Sequence, residues 1–332
     1  MHFTTLTSAS LLLAASLPSL ASASCSHLTH ISRRAPPGAE YSYEAPTDPE
    51  HWSDLDASYE ACGNGNHQSP INIHAGVYDV SSFPGSDIQV AIDGSKGVML
   101  ENLGTSIMAY TDGNITYARS SGEGQNSEWT GELVQFHFHT PSEHHLSGEQ
   151  GDGEVHFVFE NAQEELTVLG VLLTASEGQQ AGGALDTVLR AAPEEKSNGT
   201  AAATEGISFE KVLEHVKSHE IWTYSGSLTT PPCSEGVNWL VSSETFEVSK
   251  EALDRVLAIT GPNAREPQGE LGEDNLNEEN GEEGGKEESH MGEDGTITST
   301  IYACPTTTLE TSTVEGSMTT QMLPGGTLDA GN

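Results

Sequence analysis

The stretch Gln135-Phe136-His137-Phe138-His139 alternates polar and aromatic residues, and Glu154-Val155-His156-Phe157-Val158-Phe159 follows shortly after it. Residues two apart on a strand share a face. His137 and His139 therefore stand together with Gln135 beside them, and Glu154 shares a face with His156. If the two runs pair as neighbours, three imidazoles converge. A single histidine on an apolar strand is ordinarily a satisfied core residue, but two co-facial imidazoles need partners. Three neutral imidazoles leave a fourth tetrahedral position for water, the pattern of catalytic rather than structural zinc. Metal-bound imidazoles usually donate their second N–H to a carboxylate, amide or carbonyl. Gln135 and Glu154, each two residues before a candidate ligand, are placed to accept it.

Outward from these runs the chain reads as mainly β. Short apolar segments recur between turn residues: 71–73, 88–92, 98–100, 133–139, 155–159, 166–173 and 237–241. Residues 185–192 and 209–216 read as short helices, with Ser208 a candidate N-cap. Residues 41–268 have globular composition and form one domain. Ahead of it, residues 1–23 read as a signal peptide, with an apolar core Leu11-Leu12-Leu13-Ala14-Ala15-Ser16-Leu17 and a small-residue cleavage site at Ala21-Ser22-Ala23. That core is too short to span a bilayer. Residues 24–40 are a polar, Pro-containing linker or pro-segment, in which Arg33-Arg34 is either a processing site or a solvated charge pair. Residues 269–332 form an acidic, then Thr- and Gly-rich tail that has too little apolar surface to offset chain entropy, and it reads as disordered.

The 332 residues carry a formal charge of −38, which argues against nucleic acid or an anionic membrane as partner. The leader points to a secreted, extracellular or cell-wall protein. Four cysteines, Cys25, Cys62, Cys233 and Cys304, suit disulfides in such a compartment, but their spacing does not decide connectivity. Asn114 and Asn198 each open a glycosylation sequon.

Several ordered segments resemble those of the α-class carbonic anhydrases: Gln68-Ser69-Pro70-Ile71-Asn72-Ile73, Gln135 to His139, Ser142-Glu143-His144, Glu154-Val155-His156, Val168-Leu169-Gly170, and Trp222-Thr223-Tyr224-Ser225-Gly226-Ser227-Leu228-Thr229-Thr230-Pro231-Pro232-Cys233. The resemblance implies a single domain built on a large, twisted, mostly antiparallel β-sheet with short peripheral helices. It implies Zn2+ held by His137, His139 and His156, with Gln135, Glu154 and the Asn263 carbonyl behind the rings. It further implies that the Thr229 hydroxyl donates to Glu143 and accepts a hydrogen bond from zinc-bound hydroxide, which attacks CO2 to give bicarbonate and a proton. Val158, Val168, Leu228, Thr230, Val237 and Trp239 match the family's substrate pocket, although apolar residues are usually core as well. Cys62 and Cys233 align with the disulfide of secreted members, and Tyr43 with a tyrosine of the family's water network. Fast members export the proton through a rim histidine. The aligned residue here is Thr105, which cannot relay a proton near neutral pH, so turnover below the fastest members and rescue by imidazole are expected. The segment Asn263-Ala264-Arg265-Glu266-Pro267-Gln268 resembles the family's Asn-x-Arg-x-x-Gln, after which the family adds a basic, apolar stretch; here the acidic tail begins instead.

Two rival readings come from other classes. A non-catalytic binding module of this family would lack a zinc ligand, whereas this chain has all three. A cell-wall or mineral-associated protein would use the acidic tail for weak Ca2+ binding; the tail has suitable carboxylates but no EF-hand pattern, and this role is compatible with catalysis.

Overall fold

The computed structural model of the chain describes residues 39–74, 80–120, 126–177, 182–196, 203–204, 206–268, 289–291 and 297–299. The leader, Arg33-Arg34, Cys25, Cys304, Asn198 and most of the acidic tail lie outside these residues. The chain divides into two compact units, 1–278 and 279–332. Within the second, Ser289–Met291 pairs antiparallel with Ile297–Ser299.

The first unit is dominated by a mixed sheet that counts twelve strands among the described residues. In chain order its strands, together with those of a small three-stranded sheet, are β1 (Asn72–Ile73), β2 (Ser81–Pro84), β3 (Gln89–Asp93), β4 (Val98–Asn102), β5 (Ile107–Tyr110), β6 (Asp112–Ser120), β7 (Asn126–His139), β8 (His145–Leu146), β9 (Glu149–Gln150), β10 (Gly153–Glu160), β11 (Leu166–Ser176), β12 (Ala203–Thr204), β13 (Glu220–Ser227), β14 (Glu235–Ser242) and β15 (Phe246–Ser249). β1, β8 and β9 make up the small sheet; nine strands of the large one run β12-β4-β5-β7-β10-β11-β14-β13-β2, with β15 also paired to β11 and β6 paired to both β3 and β7. Most pairings are antiparallel, but β11 runs parallel to both β14 and β15.

Alternation separates two cores across the central strands. One face carries Phe136, Phe138, Val155, Phe157, Leu169, Val171 and Leu240. It is covered by α3 (Ala184–Arg190), α4 (Glu210–Ser218) and α5 (Lys250–Thr260), which add Leu185, Val188, Val212, Val216, Leu253 and Val256. The other face carries Val158, Val168, Leu172, Val237, Trp239 and Val241. The histidines of β7 and β10 lie on this second face. Two further helices, α1 (Trp52–Leu55) and α2 (Ala61–Asn64), pack a small cluster of Trp52, Tyr59, Cys62 and Cys233 near the N-terminus.

The structure departs from the sequence pattern in several places. β2, β5, β6, β8, β9, β12, β13 and β15 are strands that hydrophobic runs did not mark, and α1, α2 and α5 are helices beyond the two expected. Phe209, not Ser208, occupies the N-cap of α4; the Ser208 hydroxyl instead accepts from the Glu210 N–H at 3.3 Å.

Candidate metal centre

The register of β7 against β10 sets His137 directly opposite His156, and His139 opposite Glu154. The imidazoles converge, with ring centroids 5.0 Å apart for His137–His139, 5.2 Å for His137–His156 and 4.7 Å for His139–His156. One nitrogen from each ring lies within 4.8 Å of the others. The second nitrogen of each ring is engaged. His137 Nδ1 donates to Gln135 Oε1 at 2.8 Å, His139 Nδ1 to the Asn263 carbonyl at 2.7 Å, and His156 Nε2 to Glu154 Oε1 at 2.9 Å. These bonds fix the tautomers and leave lone pairs on Nε2 of His137 and His139 and on Nδ1 of His156. Burial pushes the His139 imidazole down to about 4, and it also lowers His156 and takes His137 well below the ordinary histidine value. All three are therefore neutral at neutral pH, the form that ligates a metal. His139 Nε2 is a buried atom with no hydrogen-bond partner. An unpartnered buried acceptor beside two more aimed the same way fits a metal ion.

Glu154 is fully buried and makes four hydrogen bonds. Oε1 accepts from His156 Nε2 and, at 2.8 Å, from His144 Nδ1; Oε2 accepts from the backbone N–H groups of Glu143 at 2.9 Å and His144 at 2.8 Å. Burial pushes this carboxyl up, yet the attraction and hydrogen bonds of His144 and His156 outweigh it and hold Glu154 well below the usual carboxylate range. His144 continues the chain outward, its Nε2 accepting from the Tyr224 hydroxyl at 2.7 Å, which lies 2.9 Å from Ser69 Oγ.

Glu143 is also fully buried, and burial pushes it up to about 7 against the opposing pull of His156, the Thr229 hydroxyl and the Arg265 N–H. Its Oε1 accepts from the Arg265 N–H at 3.0 Å, and Oε2 has no hydrogen-bond partner. The Thr229 hydroxyl is thus close enough to the carboxyl to pull against the effect of burial.

The triad lines a cavity of about 630 Å³. Val158, Val168, Leu228, Val237 and Trp239 form an apolar wall, with Thr229, Thr230 and Thr105 also lining the space. The loop carrying Thr229 is held at both ends. Leu228 N–H donates to the Ser234 carbonyl at 3.0 Å, Trp239 Nε1 to the Ser227 carbonyl at 2.9 Å, and Cys233 is joined to Cys62 by a disulfide. Asn263 Nδ2 donates to the Thr105 carbonyl at 2.9 Å, so one residue fixes both His139 and the rim position facing it. Asn114 is exposed on β6.

Several residues of this centre are not evident from spacing. His144 and Tyr224 form the relay behind Glu154. Arg265, 1 % exposed, donates to Gln68 Oε1, the Ser69 carbonyl and the Cys62 carbonyl at 3.0, 2.8 and 2.9 Å, while its N–H holds Glu143. Tyr41 lines the cavity alongside Tyr43, touching the hydroxyls of Thr230 and Thr105. The signal for Arg265 is its place in the Asn263-Ala264-Arg265-Glu266-Pro267-Gln268 segment, which gives it no partner, and the signal for Tyr41 is its spacing of two from Tyr43.

A large β-sheet bearing three co-facial histidines in a cavity with an apolar wall defines a class of protein with a candidate metal site of three imidazoles. Residues 47–277 match the family model of the eukaryotic-type carbonic anhydrases. A carbonic anhydrase of Nostoc sp. is 32 % identical over 228 residues, which span 68 % of this chain and 81 % of that protein. Among solved structures, the fungal α-carbonic anhydrase of Aspergillus oryzae is 33 % identical with a TM-score of 0.58, covering 72 % of this chain and 97 % of its own. The α-carbonic anhydrase of Thermovibrio ammonificans, solved with the inhibitor sulfanilamide, is 34 % identical with a TM-score of 0.59, covering 72 % and 98 %. The chain belongs to the eukaryotic-type carbonic anhydrase family of enzymes.

Proposed function

We propose that this enzyme catalyses the zinc-dependent, reversible hydration of CO2 to bicarbonate and a proton. The observation that carries the reading is the buried, unpartnered His139 Nε2, set among imidazoles whose other nitrogens are all committed to acceptors. His137 and His139 through Nε2, and His156 through Nδ1, are the residues that would hold the ion. Zinc so held would supply a bound water acidic near neutral pH, a property known for this family.

The chain's own groups supply the rest. Gln135, Asn263 and Glu154 fix the ring planes and tautomers, so the donor set is organised before the ion arrives. The apolar wall of Val158, Val168, Leu228, Val237 and Trp239 offers a dry place for an uncharged, weakly polar substrate beside the reacting oxygen. A hydrogen bond from the Thr229 hydroxyl to Glu143 would commit the threonine proton to the carboxylate, leaving Oγ1 only its lone pairs to offer toward the cavity. That arrangement orients a nucleophile and rejects a group that cannot donate. The proton released must reach solvent past Thr105, whose hydroxyl has no accessible pKa for the task.

Stopped-flow CO2 hydration tests the reading, run on the protein as isolated, after chelation and after zinc is restored. Activity should vanish and return with zinc, and should rise with imidazole concentration. Folded, zinc-loaded protein without activity would move the function to a non-catalytic role.

We further propose that the chain is secreted. The leader and the disulfide between Cys62 and Cys233 support an oxidising destination. N-terminal sequencing of protein recovered from the medium should begin beyond residue 23; a retained leader would contradict it.

A further inference from the structure

The sequon Asn114-Ile115-Thr116 lies within β6, between β3 on one side and β7 on the other. Alternation decides which of its side chains reach solvent. Ile115 and Tyr117 are buried in the core that α3, α4 and α5 cover, whereas Asn114 stands on the opposite face and is exposed. Both neighbours in its row are exposed as well: Ala91 on β3, with only a methyl group, and Glu132 on β7. The row continues onto β10, where Glu132 pairs with Glu160, a residue of the cavity wall. Directly paired residues share a face, so Asn114 looks out on the same side as the cavity. Two strand spacings, roughly 10 Å, separate it from Glu160.

We infer that Asn114 carries an N-linked glycan and that this glycan stands beside the cavity mouth, where it hinders large ligands but not CO2. The inference rests on the proposed secretion, because the sugar is added in the secretory pathway. The donor is an oligosaccharide linked to a lipid pyrophosphate. Asn114 Nδ2 forms a bond to C1 of the first sugar, the bond from C1 to the pyrophosphate oxygen breaks, and the lipid pyrophosphate and one amide proton leave; nothing is oxidised or reduced. In the folded domain β6 is paired on both sides, and the Thr116 hydroxyl lies 2.9 Å from that of Thr130. The acceptor segment is therefore within reach only before β3 and β7 close on it, and the sugar precedes the sheet. Once the sheet has formed, the exposed face keeps the glycan in water and leaves the core undisturbed.

Peptide mapping of the full chain, secreted from yeast under its own leader, tests the attachment. Release of glycans by a peptide N-glycosidase in heavy-oxygen water leaves each occupied asparagine as a mass-marked aspartate. Asn114 should carry the mark, the variants Asn114→Gln and Thr116→Ala should lose it, and Thr116→Ser should keep it. An unmarked Asn114 in secreted protein, whatever the state of Asn198, overturns the inference and leaves secretion standing. A chain held in the cell with its leader uncut overturns secretion and this inference with it. The position of the glycan is tested on the zinc-loaded protein with sulfanilamide, free and linked to dextran. The dextran conjugate should bind Asn114→Gln about ten-fold more tightly than the glycosylated protein, because a steric clash discriminates by size. Free sulfanilamide affinity and CO2 hydration should be equal in the two. Where Asn114→Gln is not secreted, trimming of the folded protein by an endoglycosidase supplies the same comparison. Equal binding of the conjugate overturns the placement beside the mouth. Free sulfanilamide bound by neither form overturns the proposed zinc centre, while the mark at Asn114 still establishes the attachment.

Discussion

Gly170 stands opposite His156 on β11, and a methyl group there would meet Glu154 Oε1 at 2.9 Å. A flexible carboxylate would normally swing aside, but this one is pinned by His144, His156 and two backbone N–H groups. We expect Gly170→Ala to weaken zinc affinity about 10–100-fold, the usual effect of disturbing a partner behind a metal ligand, while the fold survives. Competition with a chromogenic chelator reads this directly, and an unchanged affinity would show that the carboxylate has room to retreat. At this scale the three histidines are legible in the sequence because a period of two is a local property. The supports Gln135 and Glu154 are legible for the same reason. His144 and Arg265 are not, since what they do depends on Tyr224, Ser69, Cys62 and Gln68, groups that only the folded chain brings near. The Thr229–Glu143 pair belongs to this scale too: the family resemblance names it, and the Thr229 hydroxyl pulls on the buried Glu143 carboxyl.

The strand β7 shows why elements were only partly readable. Leu133 and Gln135 have the same parity, yet Leu133 faces the core under the helices and Gln135 faces the cavity. The cause is a bulge: Val158 pairs with Gln135 and Phe159 with Leu133, so Val134 is left over. Past that point simple alternation holds, and the run from Gln135 to His139 could be read with confidence in its faces. The strand β6 hides behind Asp112-Gly113-Asn114, which looks like a turn, although Ile115 and Tyr117 alternate as buried residues behind it. The helix α5 is different, because Ala252, Leu253 and Val256 have helical spacing on a buried face and that signal is present in the sequence. It is stabilised at its start without a side-chain cap; the buried Asp186 Oδ1 accepts from the Ser249 N–H at 2.8 Å, a pairing of residues far apart in the chain. The parallel neighbours of β11 likewise follow from long connections, which no local pattern reports.

Across the whole molecule, the ends of the domain are stitched together. Arg265 binds the segment 62–69, Gln268 N–H donates to the Pro70 carbonyl at 2.8 Å, and the disulfide joins Cys62 to Cys233 across a sequence separation of 171. In a chain-entropy account, closing so long a loop restricts the unfolded ensemble by about 5 kcal/mol. We therefore expect Cys62→Ser/Cys233→Ser to lower the urea midpoint by a large fraction of the domain's stability, with the unfolding slope showing any change in unfolded compactness. A midpoint equal to that of the unmodified protein would mean that the other contacts between the ends already impose the constraint. No helix among the described residues is long and apolar enough to cross a membrane.

The position of Asn263 has a consequence for how the protein is made. A chain leaving the ribosome carries His137, His139 and His156 early, and the pairing of β7 with β10 needs only a short hairpin-like excursion. The carbonyl that orients His139 and the N–H that holds Glu143 both lie in the last residues of the domain. The nascent chain thus holds its three candidate ligands long before it holds their geometry, and the arrangement of the site is complete only when synthesis of the domain is nearly finished.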